Sequence, residues 1–525
     1  MDDGSRSEPD RPTFGGLVAG GRVVVLAWWI GVYLGTLELQ GWIFTELATL
    51  KAGRLSFAGM LADRATYGHC PLYFTLAWTI QRIFGEHPVA LRLPSAICGL
   101  IVAVLVIRLT RAWASEAAAI FAGLTVLASP FLLEISQQAR PYALALVFTL
   151  AATAVLTDPI GHSHPRRAVV FGLFTLAGLL TSHAYWFVVA AHAAALLLEG
   201  RRNLRLLLAA LAAIAAASPW TIYAKLFASS GGESERFLTW MSPVDAAVSL
   251  ALPGRLAAHL PFEQGESMAL PIVVSVLAVV VGGVGLARLP SAASNRAGIG
   301  LRPLLAALWI VPPAFALAAG LAGWGNLLLV PRYFAATAVV QLVLVAWAAW
   351  SVGPGLRRLA PGLLVVLLAG GSAAYLVEIS RDEVRRSARI TAAGSSPQEA
   401  IIFIGTLSDL RLFKHYLDRP VVGCVLSTGD HTDEPVSDRH FPRYRGRRTG
   451  AWVVVDRDGG EPFARSSSGT FEIGRLLETL GRRYGSVTSR RIGGLELLHL
   501  SDRDRRGGGD SGAGDDAGSP GPGES

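Results

Sequence analysis

The sequence predicts an α-helical polytopic membrane protein with about 11 transmembrane helices and a small C-terminal extracytoplasmic α/β domain. Three observations carry this reading. Of 525 residues, 52% are hydrophobic and only 16% are charged, against about 25% charged in an ordinary soluble chain. The charges divide unevenly, because residues 1–379 hold as many as the last 146. The arginines of the apolar part recur in alternate short loops, as lipid-spanning helices require. A single soluble domain, a fibrous protein and a disordered chain are excluded. The net charge of +8 resides mostly in the membrane body, so it speaks for topology and not for nucleic acid.

Residues 1–22 are polar and form a cytoplasmic N-terminal segment; no cleavable signal is evident. Apolar runs of spanning or near-spanning length follow at 23–37, 90–107, 117–133, 142–157, 168–182, 184–198, 206–224, 269–287, 303–321, 334–351 and 362–378, each compared with the roughly 20 residues that cross a bilayer. One set of loops carries Arg6, Arg11 and Arg22, then Arg108/Arg111, Arg166/Arg167, Arg201/Arg202/Arg205, Arg288/Arg296/Arg302 and Arg357/Arg358. That side is cytoplasmic by the positive-inside rule. With an odd number of spans, the C-terminal region lies outside, together with outer loops 38–89 and 225–268. The protein is expected in the cell membrane, among membrane lipids, as a multi-pass chain.

Within loop 38–89, Pro71–Phe84 is apolar and aromatic but short. If it spanned, every later Arg-rich loop would change sides, so it reads as a helix lying on the outer membrane surface. The transmembrane body covers 23–379. Residues 380–500 read as an α/β domain, with strands at Ala400–Gly405, Gly450–Val455 and Leu495–Leu500 and a helix at Phe471–Tyr484. An Arg cluster at 443–448 reads as a solvated loop. From 501 to 525 the Gly/Ser/Asp/Arg composition cannot build a core. Cys70, Cys98 and Cys424 lack the spacing of a disulfide framework.

Transporters place ionisable residues in mid-span. Here the polar candidates gather at the outer helix ends: Glu46; His69 and Tyr73; Glu134, Gln138, Arg140 and Tyr142; His183; Arg332 and Tyr333. Several loops converging on one face point to a site at the outer membrane boundary.

Several ordered segments resemble the GT-C membrane glycosyltransferases, in the branch of protein O-mannosyltransferases and lipid A aminoarabinose transferases. They are Trp42–Leu50, Gly68-His69-Cys70-Pro71-Leu72-Tyr73-Phe74, Leu91-Arg92-Leu93-Pro94-Ser95-Ala96, Ser129-Pro130, Ser136–Tyr142, Ser218-Pro219-Trp220 and Pro331-Arg332-Tyr333. The resemblance covers roughly residues 20–345 and implies a GT-C-like body. It also implies transfer of a sugar from a polyprenyl-phosphate-linked donor to an extracytoplasmic acceptor (lipid, glycan or protein), generally with inversion.

Such chemistry needs a base for the acceptor proton, worth about 10²–10⁴-fold, and a cation to hold the departing phosphate. Arginine suits the second task because its planar fork matches phosphate oxygens. The resemblance implies a base at the position of Thr45, where the family usually has Asp; here the adjacent Glu46 is the candidate base, with Glu134 as the second candidate. The resemblance gives Arg140 and Arg332 to the donor phosphate, and Tyr142, Tyr333, His69, Tyr73 and His183 to the shape of the site. Two acids usual in the family are neutral here, Thr45 and Gln138. The sequence therefore leaves open an alternative: a non-catalytic GT-C-fold protein that binds a lipid-linked sugar or scaffolds envelope assembly. No His, Cys or carboxylate cluster has metal-ligand spacing; no cofactor is assigned, and a divalent cation is left open.

Overall fold

The structure, a computed structural model, describes residues 14–157, 165–199, 203–227, 269–290, 300–321, 331–352, 359–380, 383–396, 399–405, 407–417, 420–425, 451–456, 486–493 and 495–501. It divides into two compact units. The first contains the membrane body up to Ser380, and the second contains Trp42–Phe44 and the chain from Arg381 onward.

In the first unit, α1 (Phe14–Trp28) runs on into a π-helical turn, Trp29–Leu34. The segment at 38–89 then forms three helices where the sequence suggested one. These are α2 (Phe44–Arg54), α3 (Phe57–Thr66) and α4 (Pro71–Phe84). The first two escaped the apolar-run criterion because polar and charged residues interrupt them. Ser56 starts α3 by accepting from the Gly59 N–H at 3.1 Å, the ordinary N-cap arrangement. Pro71 opens α4 at its first turn, where a missing N–H costs nothing.

Helix α5 (Pro88–Arg111) is long, and its Pro94 lies nearly two turns inside the start. Next come α6 (Glu116–Leu127) and α7 (Pro130–Ser136). The expected single span at 117–133 is broken here: the two helices meet at 63°. Pro130 is the physical reason, because its ring biases Ser129 away from the helical region; Ser129 is extended, with φ −69° and ψ 129°. The remaining helices follow the apolar runs closely: α8 (Tyr142–Thr157), α9 (Pro165–Thr181), α10 (Tyr185–Leu198), α11 (Leu204–Phe227), α12 (Ala269–Ala287), α13 (Leu301–Leu321), α14 (Ala335–Trp350) and α15 (Leu359–Ser380).

These helices share one core, in which Val102, Leu132, Leu146, Leu196, Leu304 and Leu344 are buried. Lipid-type residues such as Leu197, Leu208, Val276 and Leu363 remain exposed, the inverse of a soluble bundle. Among the described residues, four helices are long and apolar enough to cross a membrane, or five if the bent α6–α7 pair is one span. Helices such as α8 are shorter; at about 1.5 Å per residue, its 16 residues cover less than the roughly 30 Å of hydrocarbon. The chain is a multi-pass membrane protein.

The second unit is built on a five-stranded sheet. Helix α16 (Glu383–Gly394) precedes β1 (Ala400–Gly405), and α17 (Leu407–Leu417) joins β1 to β2 (Val422–Val425). Strands β3 (Ala451–Asp456), β4 (Ser486–Ile492) and β5 (Leu495–Ser501) complete the order β2-β1-β3-β5-β4. The β1–β2 and β1–β3 pairs are parallel, and β5 is antiparallel to β3 and β4. Gly493, with φ +57°, makes the tight β4–β5 turn. Strand β4 carries two arginines and lacked an apolar signature. The expected helix at 471–484, the Arg cluster at 443–448, loop 228–268 and the tail lie outside the described residues.

Candidate functional site

The site begins where α3 ends. Gly68 adopts φ +65°, a region L side chains avoid. Its N–H bonds the Ala65 carbonyl at 2.9 Å, and the His69 N–H bonds the Arg64 carbonyl at 2.8 Å. This pair of bonds is a Schellman closure, and it sets the direction in which His69 leaves the helix. Two further contacts fix that corner. The Trp220 indole N–H on α11 donates to the His69 carbonyl at 3.1 Å, and the His183 ring hydrogen-bonds the Gly68 backbone. The His69 ring stacks on Phe74 at 5.3 Å.

Arg140, 6% exposed, comes from the segment between α7 and α8. Its Nη1 donates to the Thr45 carbonyl at 3.2 Å and its Nη2 to the Tyr142 hydroxyl at 3.5 Å. Arg332 approaches Tyr142 as well: the two guanidiniums lie 5.8 Å and 5.5 Å from that ring's centroid. Tyr333 stands 6.2 Å from Tyr142, ring to ring. The Nε atoms of Arg140 and Arg332 are buried without a hydrogen-bond partner, and among the described residues neither arginine forms a salt bridge. Tyr73 reaches this group indirectly. Its hydroxyl meets Ser95 at 3.3 Å, and Ser95 donates to the Arg140 carbonyl at 3.4 Å.

These cations act on His69. Burial first, then the charges of Arg140, Arg64, His183 and Arg332, hold its imidazole well below its usual pKa. Burial also lowers His183, against a raising contribution from the Gly68 backbone. Both rings are therefore neutral near pH 7, and the cluster's positive charge resides on guanidiniums. The arrangement is suited to an anion.

Glu46, the first candidate base, is held in a buried ion pair. It is 0% exposed, and both carboxylate oxygens receive Arg92, Oε1 from Nε at 2.9 Å and Oε2 from Nη2. Oε1 also accepts the Ala139 N–H at 2.7 Å. Arg92 spends its other donors on the carbonyls of Leu37 (2.9 Å), Gln40 (2.8 Å) and Gly41 (2.6 Å). All five N–H groups of that guanidinium thus have partners. Such a carboxylate ties α2 and the segment before it to the Ala139 backbone, and a proton-donating hydroxyl has no open approach to its buried oxygens. Glu134 on α7 is half-buried and accepts from the Gln138 amide at 3.3 Å.

The structure brings His69, Arg140, Tyr142, His183, Arg332 and Tyr333 to one neighbourhood and ties Tyr73 to it through Ser95. Sequence reasoning gave no role to Arg64, Ser95, Arg92 or Trp220. The signal for Arg92 was present, an arginine inside an otherwise apolar helix. Among the described residues, no group of three or more His, Cys, Asp or Glu forms a metal-holding cluster.

Residues 68–223 match the family model for dolichyl-phosphate-mannose-protein mannosyltransferase. The chain is similar in fold to ArnT from Cupriavidus metallidurans, solved in the apo state and bound to undecaprenyl phosphate. In both cases the identity is 14% and the TM-score 0.51, with 92% of this chain and 98% of that chain covered. The Archaeoglobus fulgidus oligosaccharyltransferase in the apo form gives a TM-score of 0.44 at 14% identity, over 77% of this chain and 64% of that one. No curated protein sequence matches the chain significantly. The fold is that of the GT-C membrane glycosyltransferases.

Proposed function

We propose that the protein transfers a sugar from a polyprenyl-phosphate-linked donor to an extracytoplasmic acceptor. The observation that carries this reading is that two guanidiniums, buried Arg140 and half-buried Arg332, both approach the ring of Tyr142 in a GT-C fold. Two cations lacking carboxylate partners among the described residues suit a phosphate, and ArnT, the similar structure, is known with undecaprenyl phosphate bound.

In the transfer, the acceptor hydroxyl gives up its proton, its oxygen attacks the anomeric carbon, and the bond from that carbon to the phosphate oxygen breaks. The electron pair leaves with the phosphate. Arg140 and Arg332 hold that oxygen as charge builds, with charge-assisted hydrogen bonds roughly twice as strong as neutral ones. Tyr142 and Tyr333 form the aromatic wall, and the neutral rings of His69 and His183 shape the opposite corner. Glu134 takes the acceptor proton, because Glu46 is committed to Arg92. The cytoplasmic N-terminus and extracytoplasmic C-terminal domain follow from the arginine pattern of the loops.

The locked Glu46, together with Thr45 and Gln138, favours a second reading: a GT-C-fold protein that binds the lipid-linked sugar without transferring it. Membranes containing the protein and supplied with a labelled polyprenyl-phosphate sugar separate the two. Label moving to an acceptor, and stopping with Glu134→Gln or Arg140→Ala, supports the enzyme. Saturable donor binding without transfer supports the second reading. Full transfer by both variants overturns the assignment of these residues.

A further inference from the structure

Arg64 has no part in the scheme above, yet it is a buried guanidinium at the edge of the same cluster. It is 1% exposed and sits in the last turn of α3, whose end delivers His69. Its Nε donates to Asp63 at 3.0 Å, and Nη2 reaches the same carboxylate oxygen. Its flat face lies 5.0 Å from the Phe74 ring and 5.3 Å from the Tyr67 ring. Phe74 is the ring on which His69 stacks. Nη1 is buried and has no hydrogen-bond partner, a costly state for a charged donor. Burial first, and then the charge of Arg140, weakens its hold on its proton against the opposing pull of Asp63.

The charges around this space do not balance. Arg64 is matched by Asp63, while Arg140 and Arg332 have no ion-pair partner among the described residues. Once Glu134 is uncharged, having taken the acceptor proton, the surplus among the described residues is two positive charges. A sugar phosphodiester carries a single negative charge. A phosphate monoester carries close to two above its second pKa of about 6. Transfer converts the first into the second, because the bond that breaks leaves its electron pair on the phosphate.

We propose that Arg64 completes a site for a dianionic phosphate monoester, its open Nη1 taking the oxygen that gains charge. This rests on the phosphate reading of Arg140 and Arg332 and deepens it. The cluster then favours the spent carrier over the donor, which is the sense required of a site that stabilises charge developing in the transition state. The cost of that arrangement is product inhibition by the carrier monophosphate.

The test uses the purified full chain in lipid nanodiscs with geranylgeranyl monophosphate and its methyl phosphodiester as probes, titrated at pH 8 and pH 5. The wild-type protein is expected to bind the monoester about 10-fold or more tightly than the diester at pH 8, the scale of one charge-assisted hydrogen bond. That preference should shrink at pH 5 as the monoester takes up a proton. Arg64→Gln should abolish the preference while leaving diester affinity within about twofold, and Arg64→Lys should restore part of it. Equal weakening of both probes by Arg64→Gln, or no change in either, overturns the proposal. A pH-independent preference in the wild-type protein does the same without any variant. Arg140→Ala tells the two readings apart. If it weakens both probes while Arg64→Gln keeps the preference, only the role of Arg64 falls; if it weakens neither, the phosphate reading itself falls.

Discussion

Replacing Glu46 by Gln removes one charge from a fully buried ion pair and leaves shape almost unchanged. Arg92 then keeps its three carbonyl partners but faces an amide in place of a carboxylate, so its charge is uncompensated in a site with 0% exposure. Breaking a buried pair by neutralising one partner costs about 3–5 kcal/mol. Part of the damage is local: the Ala139 N–H, held by Oε1 at 2.7 Å, adjoins Arg140. Glu46→Gln is therefore expected to lower the thermal stability of the detergent-purified protein markedly. Transfer should fall in step with the folded fraction. Glu46→Asp keeps the charge, loses the two-point grip and should be milder. A double change of Glu46 and Arg92 to apolar residues should recover only part of the loss, because the carbonyls of Leu37, Gln40 and Gly41 lose their donor. The measurements are an unfolding curve and a transfer rate per folded molecule. Unchanged stability of Glu46→Gln with transfer per folded molecule down by about 10²–10⁴, the size of a lost general base, would refute this structural role and return Glu46 to catalysis.

Arg140→Ala and Arg332→Ala should each weaken polyprenyl-phosphate binding by about 10- to 100-fold, the scale of a charge-assisted hydrogen bond, read by titration of the purified protein. Gly68→Ala places a side chain at φ +65°; a loss of about 1–2 kcal/mol is expected, and donor binding should suffer with it because His69 is re-aimed. Trp220→Phe removes the bond to the His69 carbonyl and should cost about 1 kcal/mol in an unfolding assay. The pH dependence of stability carries the sign of a depressed imidazole. The unfolded chain binds protons on His69 below about pH 6.5 while the folded chain resists. Stability is thus complete above that value and is lost as the pH falls through it. His69→Gln should flatten the decline between pH 7 and pH 5; an unchanged slope would assign that decline to other groups.

The helices were legible where lipid dictates composition. Apolar runs marked α8 and α12 at their ends, and Pro71 and Gly85 bounded α4. The bend at Ser129–Pro130 was also written in the chain, but a run of apolar residues masked it, since hydropathy averages across a proline. Helices α2 and α3 were missed because they are amphipathic pieces that bury one face against protein. In the site, Arg140, Tyr142 and Arg332 could be singled out as charges or phenols at apolar helix ends. Their meeting around one ring depends on the packing of α8 against the Pro331–Tyr333 turn, which no local pattern encodes. Pairing is likewise invisible locally. Glu46 and Arg92 are separated by 46 positions, so nothing in the sequence showed that the two are paired.

That pairing changes what the shortage of acidic residues means. Arg92 lies in α5, where a charge is expensive, and what it gains there is the closure of three carbonyls in a connecting segment that has little regular structure of its own between Leu34 and Phe44. The segment's backbone could not be buried without such a donor, since unpaired polar groups cost about 1–3 kcal/mol each. Glu46 makes the buried guanidinium tolerable, and its remaining acceptor capacity fixes the Ala139 N–H. Thr49 adds a bond from its hydroxyl to the Ala139 carbonyl at 3.2 Å, so residue 139 is gripped from both sides. Arg140 inherits that rigidity, together with its own bond to the Thr45 carbonyl. The ion-paired carboxylate of Glu46 thus contributes precision in placing the Arg140 cation, because it anchors the backbone N–H of the residue just before it.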